Sequence, residues 1–360
     1  MSGRKWLVTG GAGFFGAHMC RSLLDRGEQV ISYDIAPFDE LEKPAGVVDV
    51  AGDIRDTDKL RAALAGCDYV VHAAAALAIE SPEEINAVNA EGSRLVLECA
   101  AAAGVKRVVH IGTCAVYGMP KEHPLDESTP LDPMGFYGIA KAKAESYMQT
   151  AVGVETVRIR PKSFIGTGRL GIFQFLFGWI EAGALIPIFG NGDNRFQLLD
   201  VRDLCDAVYL AALKGHDKDV YLIAADRFGT VNEDLGALLR HAATGSGLLH
   251  IPSRPLKLAC AALEAVRLSP VYRWVYDTAD QDSFVSIDKA RTELGFEPKY
   301  SNQDSMIANY DWYLTEGKAL ARKGTGTSHR TAWAQGILVP AKKLFALGSS
   351  GRRRRQRAAG

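Results

Sequence analysis

Short apolar runs rich in β-branched residues recur through the first half of the chain, at 5–9, 29–33, 47–50, 68–73, 106–111 and 154–159. Between them lie longer stretches, 16–27, 56–66, 82–103 and 137–151, with helical character. Strands and helices alternating at this spacing predict an α/β fold, a doubly wound parallel sheet covered on both faces. Pro82 with Glu83 and Glu84 suits a helix start, because proline needs no N–H partner there and acids complement the helix dipole. Gly104 suits a helix stop. After about Pro161 the pattern loosens. Phe173, Phe175, Phe177 and Trp179 lead to the Gly190-Asn191-Gly192-Asp193 turn, after which a helix at 203–213 and a strand at 220–223 return to the first pattern. The expected organisation is therefore a first domain over 1–165, with 198–225 returning to it. A smaller, partly interleaved domain takes 166–197 and 226–318, and a basic tail takes 319–360.

Val8-Thr9-Gly10-Gly11-Ala12-Gly13-Phe14-Phe15-Gly16 follows the first strand and opens the first helix. Glycines at Gly10, Gly13 and Gly16 permit a tight turn, close approach of backbone to a pyrophosphate, and close packing of helix on strand. The helix start at Phe14 and Phe15 turns N–H groups toward the phosphates. This predicts a Rossmann-type dinucleotide-binding domain. Asp34 closes the second strand, where a carboxylate accepts from the ribose hydroxyls and repels a 2′-phosphate. Ile35 and Ala36 bring no cation, so NAD is expected rather than NADP. Asp53, followed by Ile54, is placed either to receive the adenine amino group or to cap the helix at 56–66. His72 closes the fourth strand and reads as a structural histidine. Ala73, Ala74 and Ala75 are small enough to let backbone lie against the cofactor.

Tyr137-Gly138-Ile139-Ala140-Lys141 sets a phenol and an ammonium four apart on one helical face. A cation beside a phenol lowers its pKa, so that tyrosinate can serve as a base near neutrality. Thr113, at the end of the 106–111 strand in Ile111-Gly112-Thr113-Cys114-Ala115-Val116-Tyr117-Gly118, can hydrogen-bond the reacting oxygen and share its developing charge. With these in view, the sequence resembles the extended short-chain dehydrogenase/reductases, the NAD-dependent epimerase/dehydratase family. The likeness rests on TGGAGFFG, Asp34, GDI, HAAA, VNAEGS, TCAVYG, YGIAK, RPKSFIG and ELGFEP, and runs over roughly residues 4–316. The resemblance implies Tyr137 as acid/base, Lys141 as its partner and ribose anchor, and Thr113 as hydroxyl helper. It implies Asn89 as a polar contact on the cofactor side, where the residues alone allow a helix-surface Asn equally. Ser163 takes the place of the Asn in the family's RxxN pattern.

Departures from the family pattern narrow the chemistry. Members that eliminate water or decarboxylate carry acids just after the strand-end Thr, because those steps need further proton donors. Here Cys114 and Ala115 stand there, which disfavours a dehydratase or decarboxylase. An NDP-sugar epimerase or related dehydrogenase needs only Thr113, Tyr137, Lys141 and NAD. The family's diphosphate-gripping Arg falls near Phe196, with Arg195 one place off; Lys162, Arg169, Arg195 and Arg273 are the cations available for a substrate diphosphate, or are solvated surface charges. The aromatic run Phe173–Trp179 is either core or the lining of an apolar pocket, which keeps open a 3β-hydroxysteroid-like or other lipid alcohol dehydrogenase. A non-catalytic NAD-bound sensor or scaffold is the third reading.

Bulk properties add limits. The 360 residues suffice for a large domain and a smaller one. Lys plus Arg and Asp plus Glu each number 42, so there is no basic excess to favour nucleic acid. Cys20, Cys67, Cys99, Cys114, Cys205 and Cys260 stand singly, without metal-ligand spacing, so no metal is expected. No apolar run is long enough to span a bilayer, and Trp6-Leu7-Val8 is too short for a signal peptide core; a cytoplasmic protein is expected. The stretch 336–348 with Arg352–Arg355 offers the one route to peripheral membrane contact, although Pro340 interrupts it and a disordered basic tail is the plainer reading. The resemblance implies a homodimer formed through helices 82–103 and 137–151.

Overall fold

Tyr69-Val70-Val71-His72 and Arg107-Val108-Val109-His110-Ile111 are buried at every position, as strands covered on both faces must be. They lie at the centre of a seven-stranded parallel sheet in a computed structural model that describes residues 3–38, 43–120, 122–168, 173–265 and 273–319. The strands are β1 (Lys5–Thr9), β2 (Gln29–Asp34), β3 (Val48–Ala51), β4 (Tyr69–His72), β5 (Arg107–Ile111), β6 (Glu155–Pro161) and β7 (Asp219–Ile223). Their order is β7-β6-β5-β4-β1-β2-β3, so successive crossovers run one way from β1 and then the other. This is a Rossmann-like α/β fold. The reversal falls between β1 and β4, and in such sheets the crevice beyond the strand ends at that point receives ligands.

The helices of this unit are α1 (Phe14–Asp25), α2 (Thr57–Leu64), α3, α4 (Gly135–Thr150) and α5 (Val201–Lys214). α3 comprises Pro82–Ile85 and Ser93–Ala102 joined through a π-helical turn over Asn86–Gly92. Ser81 caps its start by accepting from the Glu84 N–H, with Pro82 in the first turn. Two apolar layers hold the helices to the sheet. Leu7, Val70, Val108, Leu97 and Met148 pack on the face under α2, α3 and α4. Trp6, Val8, Val71, Val109, Leu204 and Val208 pack on the face under α1 and α5.

The chain divides into two compact units among the described residues: 3–164, 199–226 and 285–299 form one, and 165–198, 227–284 and 300–319 the other. The sequence pattern put 285–299 in the second domain. The structure puts it in the first, because Val285, Ile287, Ala290, Leu294 and Phe296 are buried in that unit's core. In the second unit Leu185–Phe189 and Gly247–Ile251 pair in parallel. Phe177, Trp179, Ile186, Leu238, Met306 and Tyr310 form its core, so the buried part of the aromatic run is packing. Arg169 and the tail from 320 on lie outside the described residues, as does the side chain of Arg273. Among the described residues no helix is long and apolar enough to cross a membrane.

Candidate active site

The glycine turn begins where β1 ends. Gly10 has φ +69°, and a Cβ there would come within 2.9 Å of the Ala74 backbone beyond β4. A Cβ on Gly16 would lie 2.0 Å from the Gly10 carbonyl, so α1 can meet the turn only if that residue has no side chain. Gly13 precedes α1 with extended backbone; no side chain caps the helix and its first turn carries no acid. Nothing negative from the helix itself therefore competes with a pyrophosphate at the positive end of the dipole. Phe14 and Phe15 are buried in the same turn. At the end of β2 the Asp34 carboxylate accepts from Ala12 N at 3.2 Å and Ala36 N at 3.1 Å, which aims it across the turn.

Asp53 does not cap α2. Asp56 does, accepting from the Lys59 N–H. The Asp53 carboxylate is gripped by Arg55, Nε to Oδ1 at 3.0 Å and Nη2 to Oδ2 at 2.7 Å, and this partner holds its pKa below the usual carboxylate range. Arg55 also reaches Glu84 at 3.0 Å. Neither contact is visible in the spacing of the sequence. Ile54 is buried against Gly92, where a Cβ would stand 2.6 Å from its Cδ1.

Polar side chains order the strand ends next to this cradle. Ser93 Oγ donates to the Asn89 carbonyl at 2.7 Å, so it accepts from His72 Nε2–H at 2.8 Å. His72 Nδ1 then accepts from Thr9 Oγ–H at 2.8 Å, leaving the Thr9 oxygen to accept from Ala73 N and Ala74 N, both at 3.2 Å. This assignment satisfies each group and requires a neutral imidazole. Burial, reinforced by the Lys141 charge, pushes the His72 pKa down to about 3. Asn89 is buried, not a helix-surface residue; Ala76 N donates to its Oδ1 at 2.7 Å and its Nδ2 donates to Ala76 O at 3.0 Å. It clasps the loop that carries Ala73, Ala74 and Ala75.

Thr113 follows β5 in extended conformation and its Oγ accepts from Ala115 N at 3.1 Å. The hydroxyl hydrogen remains to donate elsewhere. α4 lies on this turn at Gly138, where a Cβ would stand 3.3 Å from Ala115 O. One residue earlier Tyr137 is half-buried, beside Ile85, Ala90 and Ala140. One helical turn later the Lys141 ammonium is buried and donates to Ile111 O at 2.9 Å, at the strand end from which Thr113 springs. Burial pulls its pKa down to about 8, against the pull of Glu145. Cys114 donates its thiol to Arg160 O at 3.4 Å, and burial pushes that thiol up to about 11. Lys162 is buried after β6, with its pKa lowered by burial. Ser163 is exposed, and its carbonyl accepts from Leu199 N at 3.1 Å. In the second unit, Arg195 lies with its guanidinium 4.5 Å from the Phe228 ring centre and 4.8 Å from that of Phe284.

Two outcomes follow from this geometry. Gly16→Ala should weaken NAD binding, measured by calorimetry, by at least tenfold, because the added carbon presses on the Gly10 carbonyl. The unfolded chain protonates His72 near its ordinary 6.5, whereas the folded chain resists until about 3. Protons are thus taken up on unfolding in that window, and stability falls as the pH is lowered through it. Urea midpoints compared near pH 7 and near pH 5 should fall further for the natural chain than for His72→Gln. Equal falls would show that His72 does not carry the effect.

The family model of the NAD dependent epimerase/dehydratase family matches residues 6–224. A dTDP-glucose 4,6-dehydratase of Streptomyces niveus is 31% identical over 339 residues, spanning 85% of this chain and 92% of that protein. Among solved structures, the UDP-glucose 4-epimerase of Thermotoga maritima with UDP-glucose superposes at a TM-score of 0.71 with 25% identity, covering 88% of this chain and 99% of that one. A double mutant of a dTDP-glucose 4,6-dehydratase of Streptomyces venezuelae, crystallised with NAD bound, superposes at 0.70 with 26% identity, covering 87% and 98%. This chain accordingly belongs to the NAD-dependent epimerase/dehydratase family, and its cofactor is NAD.

Proposed function

We propose that the chain is an oxidoreductase acting at a carbinol of a nucleotide sugar, an NDP-sugar epimerase or a related dehydrogenase, with Tyr137 as its acid/base. The observation that carries this reading is the Lys141 ammonium, held out of water on Ile111 O at the strand end that leads to Thr113 and one helical turn after Tyr137. In this reading the first unit takes NAD through the glycine turn, Asp34, Asp53, Ile54, Ala73–Ala75, Asn89, Lys141 and Ser163. Bound NAD would accept a hydride from the carbinol carbon and could return it. Tyr137, as phenolate, removes the hydroxyl proton. Lys141 stabilises that phenolate by proximity of charge, and below about pH 8 it is present as the cation. Thr113 donates its free hydrogen to the reacting oxygen.

Dehydratases stand among the relatives, but the positions after Thr113 favour the epimerase or dehydrogenase. Cys114 is a weak acid turned toward Arg160 O, and Ala115 has no proton to give. Arg195, stacked by Phe228 and Phe284, supports a diphosphate handle in the second unit, since the stacking presets the plane of its donors. Lys162 is the second candidate cation. The burial of Phe177 and Trp179 removes much of the ground for an apolar steroid pocket. A homodimer through α3 and α4 is supported by Phe136 and Ile139, 64% and 54% exposed near the start of α4. The cytoplasm is the compartment that suits such a substrate.

The test uses the purified full-length chain, challenged with UDP-hexoses and with hydroxysteroids while NADH absorbance and product identity are followed. Tyr137→Phe should keep NAD affinity within a few-fold and lose on the order of 10²–10⁴ in turnover. Unchanged turnover would defeat the assignment of Tyr137, and net NADH formation with a steroid alone would replace the sugar reading by the lipid one.

A further inference from the structure

Behind the three reacting groups lies a charged cluster that the mechanism above does not use. Arg160 on β6 donates through Nε to Glu145 Oε1 and Oε2 at 3.1 and 3.0 Å, and through Nη2 to Oε2 at 2.6 Å. Its Nη1 donates to the Tyr117 hydroxyl at 2.7 Å, and that hydroxyl donates to Asp126 O at 3.1 Å. The two charged side chains are only 4% and 2% exposed. One buried guanidinium thus joins β6, the turn after Thr113, and α4, which carries Tyr137 and Lys141.

The local sequence makes room for the carboxylate. Gly112 immediately precedes Thr113, and a Cβ on it would lie 2.7 Å from Glu145 Oε1 and 3.0 Å from Ile159 O. Any side chain at 112 would displace either the acid or the strand end. Glu145 is also four residues after Lys141, hence on the same face of α4 one turn on. The other titratable and charged groups on the elements packed there are Tyr137 one turn earlier on α4, His72 on β4, His110 on β5, and Arg158 and Arg160 on β6; His72, His110 and Arg158 stand side by side across the sheet. None of these is a carboxylate. Buried ion pairs contribute little net stability because of their desolvation cost, so this one needs a reason beyond holding the fold together.

We propose that Glu145 is a positioning residue for Lys141: through Arg160 it locks the catalytic helix to the Thr113 turn, and its own charge keeps the neighbouring ammonium charged inside a dry site. This rests on the reading of Lys141 as the partner of Tyr137. Arg160 neutralises part of the charge on Glu145, and the remainder acts on Lys141, where it opposes the effect of burial. Removing Glu145 leaves two cations and no counter-charge in the same buried layer.

The experiment titrates Lys141 directly, in the full chain labelled with ¹³C at lysine Cε, its resonance assigned by its loss in Lys141→Met. In the natural chain the midpoint should lie near about 8. In Glu145→Gln it should fall by about one unit, as expected for loss of one nearby opposite charge. NAD affinity should then begin to decline at correspondingly lower pH. Glu145→Asp should restore most of the midpoint. If Glu145→Gln fails to fold, the double variant Glu145→Gln with Arg160→Met, which leaves no orphaned charge, carries the same test and should still show a lowered midpoint. An unchanged Lys141 midpoint in a folded Glu145→Gln or double variant overturns the proposal. Retained turnover in Tyr137→Phe would instead undo the catalytic reading and leave the titration result standing.

Discussion

An ammonium excluded from water can stay charged only if the chain supplies what the solvent would have supplied. Lys141 gets a carbonyl at 2.9 Å and a carboxylate one helical turn away. Both come from the fold. The carbonyl is that of Ile111, the last residue of a central strand, and the carboxylate is held in place by a guanidinium from the next strand. The position of the helix, the length of β5 and the spacing of charges along β6 therefore serve one requirement. Displacing any of them exposes or neutralises the cation.

The same sheet meets the opposite requirement on the neighbouring strand. His72 must remain uncharged, and it does so because both ring nitrogens have a partner of fixed direction. That chain of donors runs from Thr9 through His72 and Ser93 to Asn89. It ties the ends of β1 and β4, where the sheet order reverses, to the π-helical turn of α3. Ala73 and Ala74 are fixed by donating to Thr9 Oγ at the head of that chain, and Ala76 by Asn89. The loop after β4 is thus stiffened by neutral hydrogen bonds, while the end of β5 faces the charge of Lys141. A protonated His72 would break the first and repel the second.

Much of this was legible from local signals. All seven strands fall within a residue or two of the apolar runs, because buried parallel strands are nearly continuous in hydrophobicity. Pro82 and Gly104 mark the ends of α3, since their backbone preferences act locally. The glycine turn, Asp34 and the Tyr137–Lys141 spacing are motifs whose geometry depends on few neighbours. What stayed hidden depends on distant parts of the chain. No pattern in 285–299 says which core Leu294 and Phe296 will join. The π-helical turn has no local mark, and its Asn89 holds Ala76, thirteen residues back. The guanidinium of Arg55 that grips Asp53 is also held by Glu84, 29 positions on. The Tyr117–Glu145–Arg160 cluster joins residues 15 and 43 positions apart. Its one sequence signal was an acid four residues after Lys141.

Likeness to a dehydratase at 31% identity and likeness to an epimerase at a TM-score of 0.71 do not decide between the two reactions, because the hydride step is common to both. Water elimination needs an additional proton donor close to the sugar, and the natural place for it is the turn that follows the hydroxyl-bearing strand end. That turn here holds a thiol bonded to Arg160 O and a methyl group. The carbonyl that accepts the Cys114 thiol belongs to the same residue whose guanidinium binds Glu145. A carboxylate at 114 would enter the Arg160–Glu145 layer as a second acid. It would compete for the guanidinium and face the backbone carbonyl that now accepts a proton. The cluster that serves Lys141 is therefore poorly compatible with a dehydratase acid at this position, and the two sequence features, a non-acidic turn and an acid after the lysine, belong together physically.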